Sequence, residues 1–424
     1  MPKPYTTVLG KAVRSIARLR GGGSAFPGLF VEKIDSSFVA DTLAQLPRGI
    51  VIISGTNGKT TTTKMVTELL EGQGLKVFTN STGSNFIRGI AAALLGEVDM
   101  KGKLDADIAV LELDEAHAVH FVKSVAPRYS LLLNVMRDQL DRFGEIDTTT
   151  AMLATIAKYT TERIVLNRED ERILSIADSL PAKKAKYFGL EPALAHHFPT
   201  DDELHRGPKS SKLPKPAANV ILEAFTKNEA TFKIGSEHYT TSLKLQGIYN
   251  IFNAAAALAL VRTIVGFDID NKKLVDSLAN VSPAFGRGEQ LIIGGQPLEL
   301  VLVKNPSGFR LGLKSFPAKD YATMIAINDN YADGRDMSWL WDVNFDSLQV
   351  GGVSQLSGIR AYDMALRLQY DEIEISHIEP SLKKALHHFI TKNPDTPKRI
   401  YCTYTAMLGL RRELATMTVV EAIS

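Results

Sequence analysis

Two rhythms of apolar residues alternate along most of this chain. From Gly49 onward, short runs rich in β-branched residues are followed by segments in which apolar positions return every three or four residues. That succession predicts strands alternating with helices. Ile50-Val51-Ile52-Ile53 is the first run, and residues 106–113 and 129–135 are the next two. Residues 60–72 read as a helix turning Met65, Val66, Leu69 and Leu70 inward. Runs this apolar suit strands buried on both faces, which implies a parallel sheet covered by helices, with ligands beyond the carboxyl ends of the strands.

The rhythm breaks over residues 190–216, where His196, His197 and a Pro/Lys/Ser-rich tract predict an irregular surface insertion. A helix over 250–265 follows. Near Gly288 a fresh series begins, strand-like at 298–303, 322–327 and 400–404. With the boundary drawn at Gly294-Gly295, the pattern gives an N-terminal helix and linker (1–47), a larger α/β domain (48–293) and a smaller α/β domain (294–424).

Ahead of the first strand, Leu9, Val13, Ile16 and Leu19 recur at helical spacing opposite Lys11, Arg14, Arg18 and Arg20, an amphipathic basic helix ended by Gly21-Gly22-Gly23-Ser24. Two uses are open to it: contact with a membrane surface, or packing on the domain with the basic face in water. Its shortness favours packing.

Composition narrows the class. A chain of 424 residues, 45% of them hydrophobic, has enough core for two ordinary domains. The net charge of +2 supplies no global basic field, so nucleic acid is not an expected partner. Cys402 is the only cysteine and lies in an apolar, strand-like run, which excludes disulfides and a four-cysteine zinc site. No run of about 18–20 apolar residues and no leader-like start is present, so a cytoplasmic location is expected, with the basic helix leaving room for peripheral contact with the inner face of the membrane.

Candidate chemistry begins in the loop after the first strand, Ser54-Gly55-Thr56-Asn57-Gly58-Lys59-Thr60-Thr61. Unpaired backbone N–H groups at a helix start bind phosphate, glycines let the backbone approach, Lys59 supplies charge and Thr60 offers a hydroxyl to Mg²⁺. Five residues before Gly58, where the usual pattern has glycine, this chain has Ile53, so the loop is a variant. Glu112-Leu113-Asp114-Glu115 ends a buried strand. Glu112 is the better metal candidate, Glu115 reading as a solvated or helix-capping charge. Asn134, Asp138, Gln139, Asp141 and Arg142 form a third cluster after another strand, with Asp138 a further candidate near the metal.

The loop, Gly247-Ile248-Tyr249-Asn250-Ile251-Phe252-Asn253-Ala254 and Gly286-Arg287-Gly288-Glu289 resemble, in this order, the three motif stations of the Mur ligase family. The resemblance implies a Mur ligase-like ATP-binding domain and a Rossmann-like C-terminal α/β domain. It also implies ATP and Mg²⁺ as cofactors, Gly55 to Thr61 on the phosphates, Asn250 by the adenine, Arg287 approaching the phosphates, and Thr60 with Glu112 at the metal. Asp138-Gln139-Leu140-Asp141 and Lys304-Asn305-Pro306 depart from the members that add amino acids. Together with residues 328–342 they are similar to the MurT family, ligase-like subunits of lipid II isoglutaminyl synthases.

That resemblance implies ATP-dependent amidation of the α-carboxyl of D-glutamate in the lipid II stem peptide through an acyl phosphate. Ammonia would come from a GatD-like class I glutaminase partner. It places an aspartate of the 333–336 turn in the partner's catalytic triad; Asp336 is chosen, with Asp333 and Asp342 equal on physical grounds alone. Many members carry a zinc ribbon; without its cysteines, no structural zinc is expected here. Trp339 and Trp341 stand either in the core or at the interface. The rival function is a stand-alone amino-acid ligase of the Mur or folylpolyglutamate type, and a further rival is a non-enzymatic nucleotide-binding scaffold.

Overall fold

The computed structural model describes residues 3–19, 26–80, 86–138, 146–206, 214–226, 229–244, 247–266, 269–281, 287–316 and 318–420. Three helices come first: α1 (Pro4–Leu19), α2 (Phe26–Ile34) and α3 (Phe38–Leu43). The segment expected to hold one helix and a linker therefore holds three helices. Their packing also reverses an expectation: α1 buries Thr6, Thr7 and Gly10 and leaves Leu9, Ile16 and Leu19 exposed.

The run at 50–54 becomes the strand on which the larger domain is built. β1 (Ile50–Ser54) lies within a nine-stranded sheet with β2 (Val77–Thr79), β3 (Ile108–Glu112), β4 (Tyr129–Leu132), β5 (Arg163–Asn167), β6 (Ala185–Leu190), β7 (Val220–Phe225), β8 (Glu229–Ile234) and β9 (Glu237–Ser242). The order is β2-β3-β1-β4-β5-β6-β7-β8-β9, parallel through β7 and antiparallel beyond it. β1 sits between β3 and β4, so the chain leaves it at the point where the strand order reverses, the crevice that binds ligands in open α/β sheets.

Helices cover both faces, as expected of buried parallel strands. On one side, α4 (Lys59–Gly72), α10 (Ile248–Val265) and α11 (Asn271–Ser277) share a core with Val51, Ile53 and Val110. On the other, α5 (Ile87–Glu97), α6 (Glu115–Ser124), α7 (Ile146–Tyr159) and α8 (Glu171–Ile176) pack with Ile52, Ala109 and Leu132. Helix α10 has the length and hydropathy of a membrane span, yet Ala254 to Val261 are fully buried against the sheet and α4. Each buried leucine or valine there stabilises the fold by roughly 1.5–3 kcal/mol relative to exposure.

Residues 190–216, expected as an irregular excursion, are only partly so. A 3₁₀ turn (Pro192–His197) and the short helix α9 (Asp201–Arg206) carry buried Phe198 and Asp201 back onto the domain, while 207–213 lie outside the described residues.

The domain boundary differs from the sequence reading. β10 (Arg287–Ile293) and β11 (Gln296–Leu302) form an antiparallel hairpin, and Gly294-Gly295 is its two-residue turn, with φ of 57° and 81°. Positive φ at both positions matches the right-handed twist of the flanking strands, so the glycine pair closes a hairpin rather than linking domains. The smaller sheet thus begins at Arg287. It also contains β12 (Ala322–Ala326), β13 (Gln355–Ser357) and β14 (Lys398–Cys402), in the order β10-β11-β14-β12-β13. Helices α12 (Pro306–Ser315), α13 (Ala361–Tyr370), α14 (Leu382–Lys392) and α15 (Tyr404–Leu414) flank it, and Cys402 is buried in β14.

Candidate active site

The loop after β1 turns into α4 through two strained positions that only glycine accepts easily. Gly55 has φ 133° and Gly58 φ 91°, and a Cβ at Gly58 would lie 2.8 Å from the Asn253 amide. Gly58 is also the N-cap of α4, and no side chain caps it. The first N–H groups of α4 and the positive end of its dipole therefore face the loop. Asn134, just past β4, clamps the loop from the side: its Oδ1 accepts from Asn57 N (2.9 Å) and its Nδ2 donates to Asn57 O (2.9 Å). Thr56 is tied in the same way, its hydroxyl accepting from Met136 N and donating to Met136 O.

Lys59 lies beneath the loop and is almost wholly buried. Its ammonium donates to Gly55 O (2.6 Å) and to both Glu115 oxygens (3.3 and 3.2 Å). Burial opposes the charge, but Glu115, Asp114, Glu112 and Asp138 outweigh it and hold the ammonium protonated. Glu115, expected as a solvated or capping charge, is instead buried as the partner of Lys59. The adjacent Thr60 donates to Glu112 Oε1 (2.9 Å). Asn80 grips the Glu112 backbone from both sides, its Oδ1 accepting from N (2.9 Å) and its Nδ2 donating to O (2.8 Å). A hydroxyl and a carboxylate side by side at a phosphate loop are hard oxygen donors, which suits Mg²⁺.

The C-terminal domain closes the mouth of this site. Asn305, fully buried, caps α12 by accepting from Gly308 N and donates across the cleft to Asp138 Oδ1 (3.0 Å). Ser307 Oγ donates to Arg137 O (3.0 Å). Asp138 thus faces the other domain, while Gln139, Asp141 and Arg142 lie outside the described residues.

Beside the loop runs a cleft with about 610 Å³ of space, open to solvent. Phe188, Phe198, Tyr249, Phe252 and Met136 line it together with Asn134, Asn167 and Asp170. The structure brings Asn253, one turn further along α10, to this cleft and to Gly58; Asn250 sits in the first turn of α10 and does not line it. Both asparagines belong to the same motif, and only their rotational position on the helix separates them. Arg287 opens β10, and its side chain lies outside the described residues.

Asp170 is a functional-looking carboxylate with a structural occupation. It accepts from Val135 N (2.7 Å) and caps α8 through Arg172 N and Ile173 N. Burial, only partly offset by these bonds, pushes its pKa up to about 6. A raised folded-state value means that the native protein binds this proton more tightly than the unfolded chain. The resulting stability is present below about pH 4 and is lost as pH rises through about 6. Urea titrations from pH 4 to 7 should show wild-type stability falling by up to about 3 kcal/mol relative to Asp170→Asn. Identical slopes for the two proteins would refute this assignment.

Of the three aspartates of the 333–342 region, one is set apart from the other two. Asp333 is buried and accepts from Thr405 N (2.7 Å), Thr405 Oγ1 (2.6 Å) and Asn330 N (3.1 Å), so it holds its own turn together. Asp336 is half-buried at the surface, where Oδ1 accepts from Ser338 N (2.9 Å). Asp342 is exposed. The two tryptophans also part: Trp339 enters the core beside Phe309, whereas Trp341 is half-exposed against Tyr370 and Arg367.

Two family models match the chain: "Mur ligase middle domain" over residues 53–261 and "MurT ligase C-terminal" over residues 302–407. The MurT subunit of lipid II isoglutaminyl synthase (glutamine-hydrolyzing) from Streptococcus pneumoniae is 31% identical, covering 97% of each chain. The subunit of the same name from Staphylococcus aureus is 29% identical over 87% of each. Among solved structures, MurF ligase from Thermotoga maritima in complex with ADP superposes with a TM-score of 0.66 at 16% identity, covering 90% of this chain and 84% of that one.

Proposed function

Because the chain belongs to the MurT family of Mur-type ATP-dependent ligases, we propose that it amidates the α-carboxyl of D-glutamate in the lipid II stem peptide to give D-isoglutamine. One observation carries the reading: the uncapped start of α4, with Lys59 beneath it, opens toward a wall of Asn305 and Ser307 from the other domain. A nucleotide on the loop and a carboxylate on the facing wall would meet there.

The chemistry needs both. A carboxylate does not condense with ammonia in water, because its oxygen is a poor leaving group. In the proposed sequence the carboxylate oxygen attacks the γ-phosphorus and ADP leaves, giving an acyl phosphate. Ammonia then adds to the acyl carbon, the adduct loses a proton, and inorganic phosphate departs with the carbon–oxygen bond. The protein's work is positioning and charge stabilisation. The α4 amides and Lys59 hold the phosphates, the apolar walls of the neighbouring cleft take the adenine, and the family resemblance assigns Arg287 to the phosphates. Thr60 and Glu112 would hold Mg²⁺, which supplies positive charge to the phosphates. Ammonia would come from a GatD-like class I glutaminase whose histidine is oriented by Asp336. Asp333 is taken up by its own turn, whereas Asp336 and Asp342 both stand at the surface; the family resemblance, which points to the 333–336 turn, selects Asp336.

The test is incubation of the chain with lipid II, ATP, Mg²⁺ and either ammonium chloride or glutamine with the partner subunit, followed by mass spectrometry. Conversion of one carboxyl to an amide is the expected result. Incorporation of an amino acid without a glutaminase would overturn the proposal in favour of a stand-alone ligase.

A further inference from the structure

Helix α1 packs the wrong way round for a helix that only covers a core. On a helical projection Tyr5, Val8, Leu9, Ala12, Ile16 and Leu19 fall in one arc about 100° wide, the apolar stripe that an ordinary surface helix turns inward. Here the stripe faces solvent: its large residues are between 44% and 88% exposed. The opposite face, small and polar, is the docked one. Gly10 lies so close to α2 and α5 that a Cβ would come within 2.6 Å of Leu95 and 2.8 Å of Val31. Thr6 donates to buried Asp35 (3.1 Å), and Lys3 reaches the same carboxylate. The stripe is therefore presented by a helix that is anchored through its back.

Charge indicates the occupant. Residues 1–31 contain five lysines and arginines and no aspartate or glutamate. Of these, Lys11 lies beside the stripe and is half-exposed. An apolar stripe flanked by Lys11, on a helix about 24 Å long in a segment without acidic residues, matches the interface of an anionic bilayer, with the stripe among the acyl chains and Lys11 at the headgroups. We infer that α1 is a membrane-docking helix, held by Gly10 and Thr6 with its apolar face outward so that the ligase works at a lipid surface. The inference agrees with the proposed lipid-linked substrate but does not need it, since vesicle binding is read without turnover.

The test uses the full chain in flotation assays with phosphatidylglycerol/phosphatidylcholine vesicles and with phosphatidylcholine alone. Wild type should float with the anionic vesicles and lose that binding at high salt. Leu9→Glu/Ile16→Glu should cut the partition coefficient at least roughly tenfold while leaving the melting temperature unchanged, because both residues face solvent. Ile16→Cys carrying an environment-sensitive dye provides an independent readout, Cys402 being buried. Its emission should shift to the blue on anionic vesicles. Three outcomes overturn the inference: wild type that does not float, a double variant that floats equally well, or a dye that reports no apolar environment. A wild-type dimer that Leu9→Glu/Ile16→Glu turns into a monomer, with no vesicle binding by either, would assign the stripe to a second copy instead.

Discussion

Lys59→Ala should abolish amidation and also destabilise the protein, and the two losses should separate on addition of Glu115→Gln. The Lys59 ammonium neutralises the carboxylate of Glu115 buried beneath the loop, and in the proposed reaction it also supplies charge to the phosphates. Removing one partner of a buried ion pair leaves the other uncompensated, at a cost of about 3–5 kcal/mol. Removing a preorganised charge at a transferring phosphoryl group should lower kcat by on the order of 10²–10³ or more. Lys59→Ala/Glu115→Gln should recover most of the melting temperature and none of the amidation. If the double variant regains activity, Lys59 serves the fold alone.

Asp336→Asn should leave the ammonium-driven reaction intact and suppress the glutamine-driven one. Replacing the orienting aspartate of a triad by asparagine can reduce turnover by about 10⁴, because the imidazole loses the correct tautomer and the support for its positive charge. The Asn side chain can still accept from Ser338 N, so the turn should survive. Asp333→Asn is the informative contrast. That carboxylate takes three hydrogen bonds inside its own domain, and its loss should reduce thermal stability and both ammonia sources together. Normal glutamine hydrolysis by the complex carrying Asp336→Asn would remove the triad assignment.

The parts of the site that were legible in the sequence are those written in local pattern. A β-branched run, a Gly-x-x-Gly-Lys-Thr loop and a helical period fix β1, the loop and α4 because all their determinants lie within about two dozen residues. Glu115 was misjudged for the opposite reason. At the first turn of α6 it looks like any exposed helix-start carboxylate, and its partner is 56 residues away in sequence. Asn80 shares that difficulty, since it grips the Glu112 backbone 32 residues away and leaves no periodic trace; Asn134 and Asn305 stood in the candidate stretches, but which partners they hold was not legible. Gly294-Gly295 failed differently, since the same dipeptide signals a linker or a tight hairpin, and only the strands on either side decide. Helix α1 had its amphipathicity and most of its span visible, but not its orientation, because which face docks depends on the shapes of α2 and α5.

The polar contacts across the cleft have a consequence for how nucleotide enters and leaves. Among the described residues, Asn305 to Asp138, Ser307 to Arg137 O and Lys314 to His196 O join the two domains by side-chain bonds, with no shared sheet and no continuous apolar core. Bonds of this kind are worth about 1 kcal/mol each net of water. The jaws can therefore part and reseat on the microsecond-to-millisecond scale of hinge motion while each core stays intact. Access to the loop becomes a matter of swinging rather than of melting, and in the proposed reaction a substrate touching both jaws would act as the latch.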